Sequence, residues 1–243
     1  MTKRKDTKAK AFTCRGAAAL ITAALLTAAL LLTGCPQSIE NKPNIPSGPD
    51  PNLRIEGGIL KGWNGTPPSG TLVIPAGVTE VADGAFWQCT RLTEVNFPAS
   101  LKTIGDLAFK DCTGLTQVHF PASLTKIDSL AFDGCVGISV LDFSACTQPL
   151  SIDYGAFYNC IGLSGTVFLP ANLKTISGSV FYNCNKVDAF DFTQCTQLTI
   201  IESSAFKNCK ADAVFTVKAG GKIKNLLLNS HSGIKASQIQ EVP

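Results

Sequence analysis

From about residue 70 onward the apolar positions of the chain recur in phase. Leu101, Ile104, Phe109, Cys112, Leu115, Val118 and Phe120 are followed by Leu124, Ile127, Phe132, Cys135, Ile138, Leu141 and Phe143, and Leu173, Ile176, Phe181, Cys184, Val187, Phe190 and Phe192 repeat the series. Within each unit a short segment such as Val95-Asn96-Phe97, Val118-His119-Phe120, Leu141-Asp142-Phe143 or Phe190-Asp191-Phe192 alternates inward and outward, the period of a half-buried strand. Phe86, Phe109, Phe132, Phe157, Phe181 and Phe206 each follow Ala or Val and precede a cysteine by three residues, at spacings of 23, 23, 25, 24 and 25. A unit this short fills one layer and cannot fold alone, so like must stack on like. The pattern predicts a repeat solenoid of about six rungs of 23–25 residues, a parallel β ladder joined by short turns or helical turns. Equivalent side chains would then stand about 4.8 Å apart in columns.

The periodicity divides the chain. Residues 76–212 carry the repeats, and residues 53–75, with Trp63 and the Leu72-Val73-Ile74-Pro75 close, read as an N-terminal cap or degenerate first rung. After Cys209 the repeat breaks, Asp212 standing where Leu is expected; residues 213–243 read as a small C-terminal cap with a short helix near Lys222–Asn229. Pro36, Pro43, Pro46, Pro49 and Pro51 among polar residues make 35–52 an extended linker, which fails to build a core.

The motif L-x-x-V-x-F-P-x-S-L-x-x-I-x-x-x-A-F-x-x-C, carried from roughly Gly70 to Cys209, resembles the BspA-like, or treponemal-type, leucine-rich repeat of bacterial surface proteins. The resemblance implies a curved solenoid, surface exposure and adhesion to host or neighbouring-cell proteins. Two units depart from it. Phe143-Ser144-Ala145-Cys146-Thr147-Gln148 and Phe192-Thr193-Gln194-Cys195-Thr196-Gln197 replace Phe-Pro-Ala-Ser-Leu and lengthen the connection to the next Ile.

Charge changes the reading of the N-terminus. Lys3, Arg4, Lys5, Lys8, Lys10 and Arg15 against Asp6 place +5 ahead of residue 16, so the formal +3 of the whole chain leaves −2 for the remainder. A basic nucleic-acid-binding body is therefore not expected. The uncharged stretch Gly16–Leu32 behind those basic residues has the plan of a secretory signal, although its length also approaches a bilayer span. Leu32-Thr33-Gly34-Cys35 resembles a lipobox, which implies a signal peptide over 1–34 and a mature N-terminal Cys35 carrying diacylglyceryl and N-acyl lipid. Such an anchor would place the protein in the bacterial cell envelope, at the outer membrane or cell surface rather than the inner membrane.

The remaining candidate chemistry is sparse. Six of the 10 cysteines belong to the repeat column and Cys146 and Cys195 to the longer loops, with no paired ligand spacing of the zinc kind; no metal or other cofactor is expected. The column thiols should pack as small hydrophobes. Outward positions of the alternating segments form a stripe of Glu94, Asn96, Gln117, His119, Asp142, Phe168 and Asp191, the candidate binding surface for a protein or glycan. Counting back from Pro170 turns Phe168 outward and counting forward from Leu163 turns it inward, so an extra residue near Gly165 must make a bulge. His119 and Asp142 on adjacent rungs could pair, but an open face offers no pocket to tune an acid or base, and no enzyme is expected. A structural, self-associating envelope protein is the alternative to a recognition module.

Overall fold

The structure, a computed structural model, describes residues 50–243; the expected signal peptide over 1–34, Cys35 and nearly all of the expected 35–52 linker lie outside the described residues. Among the described residues no helix is long and apolar enough to cross a membrane. Residues 53–243 coil into stacked rungs with ladders on successive faces. One is an eight-stranded sheet, here the spine. It begins with an antiparallel hairpin, Leu53–Glu56 against Ile59–Trp63, and continues in parallel through Glu80–Val81, Thr103–Ile104, Lys126–Ile127, Leu150–Ile152, Leu173–Ile176 and Ile200–Ile201. Register aligns Leu60, Val81, Ile104, Ile127, Ile152, Ile176 and Ile201 as one inward column.

The second face carries the stripe on Gly70–Val73, Leu92–Asn96, Gln117–His119, Val140–Asp142, Ser164–Phe168 and Lys186–Asp191. It runs on past residue 212, where a cap was expected to begin. Val214–Lys218 pairs in parallel with Lys186–Asp191, and Ile239–Val242 pairs in turn with Val214–Lys218. Phe215 stands opposite Phe190 in that register and is buried with Val217, so burial of the strand's inward side chains carries the ladder on despite Asp212. Between these last strands lies the short helix Ile223–Asn229, which buries Ile223 and Leu227.

Between spine and stripe, the segments around each repeat Phe form neither helix nor strand. The residues two before and two after that Phe adopt positive φ in all six copies: Gly84 and Gln88, Leu107 and Asp111, Leu130 and Gly134, Gly155 and Asn159, Ser179 and Asn183, Ser204 and Asn208. This alternation aims every second N–H at the next rung, as in Phe86 N–H to Ala108 O at 2.7 Å and Phe109 N–H to Ala131 O at 2.8 Å. Left-handed backbone costs an L-residue such as Leu107 about 1–2 kcal/mol. The rung-to-rung bonds enforce it regardless of side chain.

Two aromatic columns fill the interior. Trp63, Phe86, Phe109, Phe132, Phe157, Phe181 and Phe206 stack in sequence at centroid spacings of 5.2–5.7 Å and interplanar angles of 7–18°. Trp63 thus closes the column where no earlier Phe exists. The second column includes Phe97, Phe120 and Phe143, whose rings meet the first edge-on.

The cysteine column has a role that packing alone does not describe. The thiols of Cys112, Cys135, Cys160, Cys184 and Cys209 each donate to the carbonyl of the Phe one rung earlier, at 3.0, 3.0, 3.3, 3.3 and 3.1 Å for Phe86, Phe109, Phe132, Phe157 and Phe181. All eight described cysteines are free thiols. Cysteine is small enough for the column and carries a donor, weak as it is, that Ala or Val lacks.

Candidate functional site

The stripe is not one uniform surface. Its ladder is interrupted twice among the described residues, between Leu92–Asn96 and Gln117–His119 and between Val140–Asp142 and Ser164–Phe168. At each break a bond survives where the strands start, Thr116 N–H to Thr93 O at 3.2 Å and Ser164 N–H to Ser139 O at 3.3 Å, and pairing is lost towards their ends. The second break opens a groove of about 540 Å³.

Six side chains define its chemistry: His119, Val140, Asp142, Thr166, Phe168 and Gln194. Val167 points inward and Phe168 outward at 65% exposure, the largest value among the exposed large hydrophobics. The bulge that permits this lies between Gly165 and Thr166, where the pairing with Lys186–Asp191 shifts register and Gly165 takes φ +70°. That geometry resolves the two counts made from the sequence in favour of the one from Pro170. His119 Nδ1 lies 3.0 Å from Asp142 Oδ2, so the expected cross-rung pair forms. Glu94, Asn96, Gln117 and Asp191 stay on the stripe but do not line the groove. Glu94 accepts instead from the Thr71 hydroxyl at 3.1 Å.

Asp142 and Asp191 also have a local task. Asp142 Oδ1 accepts the N–H of Ser144 at 2.9 Å, and Asp191 Oδ1 that of Thr193 at 2.8 Å. Pro98, Pro121 and Pro170 stand two residues after Asn96, His119 and Phe168, the corresponding stripe positions, and proline has no N–H to give. An aspartate therefore appears where the proline does not, turning the chain into the longer loop by a side-chain–backbone bond. The Ser144 bond, with His119 beside it, holds the Asp142 carboxyl below its usual range. An acid held ionised in this way is suited to an ionic or hydrogen-bonded contact and unsuited to proton donation near neutral pH.

Cys146 lies at the groove floor with its thiol pushed up to about 12 by burial, so it is a protonated, weakly nucleophilic group there. Among the described residues no group of three or more His, Cys, Asp or Glu side chains converges as a metal site.

The BspA type leucine rich repeat region matches residues 79–213 of this chain in 6 copies. The chain belongs to the BspA-type leucine-rich repeat family. Solved structures similar to it include the T. pallidum leucine rich repeat protein, at 26% identity and TM-score 0.50 over 65% of this chain and 77% of that one. Another is a leucine rich cell surface protein from Faecalibacterium prausnitzii, at 21% identity and TM-score 0.50 over 69% of this chain and 55% of that one. The chain thus spans about half the length of the latter, and that likeness concerns the fold. Among curated proteins none matches it. Against the BspA-type unit, the groove falls at the first of the two departures from the motif, where Ser144-Ala145-Cys146 replaces Pro-Ala-Ser. Sequence reasoning placed Phe168 and Asp142 on one stripe but missed the opening between them, which depends on two strands failing to pair.

Proposed function

We propose that the protein is a lipid-anchored recognition module of the bacterial envelope, in which Cys35 holds the chain to a membrane, the proline-rich linker extends it, and the groove around Phe168 engages another protein. The observation that carries the recognition half is an exposed aromatic ring set beside an ionised carboxylate in a groove built on rigid strands. Interface anchors are typically aromatic side chains at the centre of a desolvated patch, and rigid supports lower the ordering cost of binding. Family membership supports the class of function, since the repeat supplies a scaffold on which binding surfaces are displayed. The groove holds one carboxylate and one imidazole, with no enclosed site around them, so the reading is of a binder and not an enzyme.

Two experiments separate the halves. Cys35→Ala, once processed, is expected to move from the membrane pellet to the soluble fraction, since loss of the diacylglyceryl and N-acyl chains removes stable attachment. Tight membrane retention of the variant in processed form, lacking residues 1–34, would overturn the anchor. For the groove, the combined Phe168→Ala and Asp142→Asn chain, immobilised beside the unaltered one, is expected to lose at least 90% of any protein captured specifically from host or neighbouring-cell surface extracts. Equal capture by both chains would remove the groove from consideration.

A further inference from the structure

A different face, between spine and stripe, carries a second set of unassigned groups. All three tyrosines of the chain lie there on two adjacent rungs: Tyr154, Tyr158 and Tyr182. The rings of Tyr158 and Tyr182 stack at 4.7 Å and 4°. Tyr154 is 52% exposed and its ring lies beside Gly178 of the next rung, where a Cβ would meet Tyr154 Cδ2 at 3.4 Å, an ordinary contact. The equivalent place holds Ser129 and Ser203 on other rungs. Burial and the neighbouring phenols of Tyr182 and Tyr154 raise the Tyr158 hydroxyl above its ordinary range, as expected for three close rings.

Beside the tyrosines runs an amide ladder. Asn183 donates to Asn159 Oδ1 at 2.9 Å and Asn208 donates to Asn183 Oδ1 at 3.0 Å. Each asparagine stands at a positive-φ position, where this residue type is tolerated, so the ladder has a local conformational reason. The mutual bonds still leave the remaining amide hydrogens and lone pairs for another molecule. Formal charge is largely committed. Asp133 pairs with Lys110, and the Glu202 carboxylate accepts the Gly178 N–H at 2.8 Å; Lys207 stands one rung beyond Tyr182.

We infer that this face binds a neutral polysaccharide laid along the solenoid axis, the Tyr154 ring packing on the apolar face of a sugar and the asparagine amides meeting its hydroxyls. Flat aromatic area with a hydroxyl handle, next to amides that both donate and accept, suits a ligand covered in hydroxyls and free of charge. Rungs repeat at roughly 5 Å, on the order of one sugar unit in an extended glycan, so successive amides meet successive units. The groove around Phe168 has the opposite character, one aromatic anchor beside a fixed carboxylate. The two faces are independent sites.

The test is native electrophoresis of the full chain in mild detergent, through gels containing soluble β-glucan, mannan or xylan, with polygalacturonate as the anionic control. Retardation is expected in at least one neutral gel and absent in polygalacturonate. Tyr154→Ala should weaken the apparent affinity at least tenfold with an unchanged melting curve, and Tyr154→Phe, which keeps the ring, should retain most of it. Phe168→Ala should leave it unaltered. Mobility unaffected by all three neutral polysaccharides overturns the inference, as does retardation by polygalacturonate alone. So does retardation that survives Tyr154→Ala, or that disappears with Phe168→Ala, which would assign the glycan to the groove.

Discussion

Phe132→Ala is expected to destabilise the protein by about 3–5 kcal/mol, read as a lower urea midpoint and a melting temperature lower by roughly 6–20 °C. Phe132 is fully buried and sits mid-column, stacked on Phe109 at 5.2 Å and Phe157 at 5.5 Å and met edge-on by Phe120 at 5.9 Å. Truncation removes the ring's transfer energy and leaves a cavity that neighbours held by rung-to-rung bonds fill poorly. A second effect is specific to stacked repeats. Their cohesion is a sum of nearest-neighbour contacts, so a gap at one rung weakens coupling between the rungs before and after it. The transition should broaden or split as well as shift. Phe168→Ala, at a ring exposed to solvent, should change stability by no more than about 0.5 kcal/mol. A Phe132→Ala chain that melts as sharply and as high as the unaltered one would refute the column as the source of cohesion.

Alkaline unfolding is the second large effect. Burial raises the thiols of Cys135, Cys160 and Cys184, and pushes those of Cys146, Cys195 and Cys209 up to about 12. An unfolded cysteine releases its proton near roughly 8.5. The folded chain therefore holds protons that the unfolded chain has lost, and the thiol contribution, full below about pH 8.5, falls as pH rises towards 12. Each thiol removes about 1.4 kcal/mol per pH unit across that window, so Cys146, Cys195 and Cys209 together remove about 4. Typical domain stabilities of about 5–15 kcal/mol would be exhausted within it. Circular dichroism should show cooperative unfolding between about pH 10 and 12, and Cys146→Ala should raise the midpoint. Below that midpoint a thiol reagent should find the column unreactive. Stability that stays level through pH 11 would contradict this account of the column.

The repeat was legible because periodicity reports a local property, which side of the chain is apolar, and that property decides the inward columns of Ile, Phe and Cys. The strand Val214–Lys218 was equally marked, since Phe215 and Val217 keep the alternation of Phe190 and Phe192, but Asp212 in place of the repeat Leu masked it. Other features had no such mark. Leu107 and Leu130 in left-handed backbone contradict their own preference, and only the bonds of neighbouring rungs reveal why. The thiol bonds to Phe carbonyls join residues 26–28 apart, so the sequence shows a cysteine column without its hydrogen bonds. The stripe was half readable. The alternation placed its residues, and Pro121 against Ser144 and Pro170 against Thr193 already coded for the aspartate turns, but the groove required knowing that two strands separate.

The two interruptions of the stripe ladder carry a mechanical consequence. The spine pairs without interruption from Leu53–Glu56 to Ile200–Ile201, whereas the stripe is divided into blocks of two, two and four strands. Under sideways load such a solenoid has a stiff back and a segmented front. Bending concentrates at the two gaps, as in a book that opens along its stitching, and one of those gaps holds Phe168 and Asp142. Under the proposed anchoring and recognition, load would widen or narrow the groove directly, making grip depend on force and on the direction from which it comes.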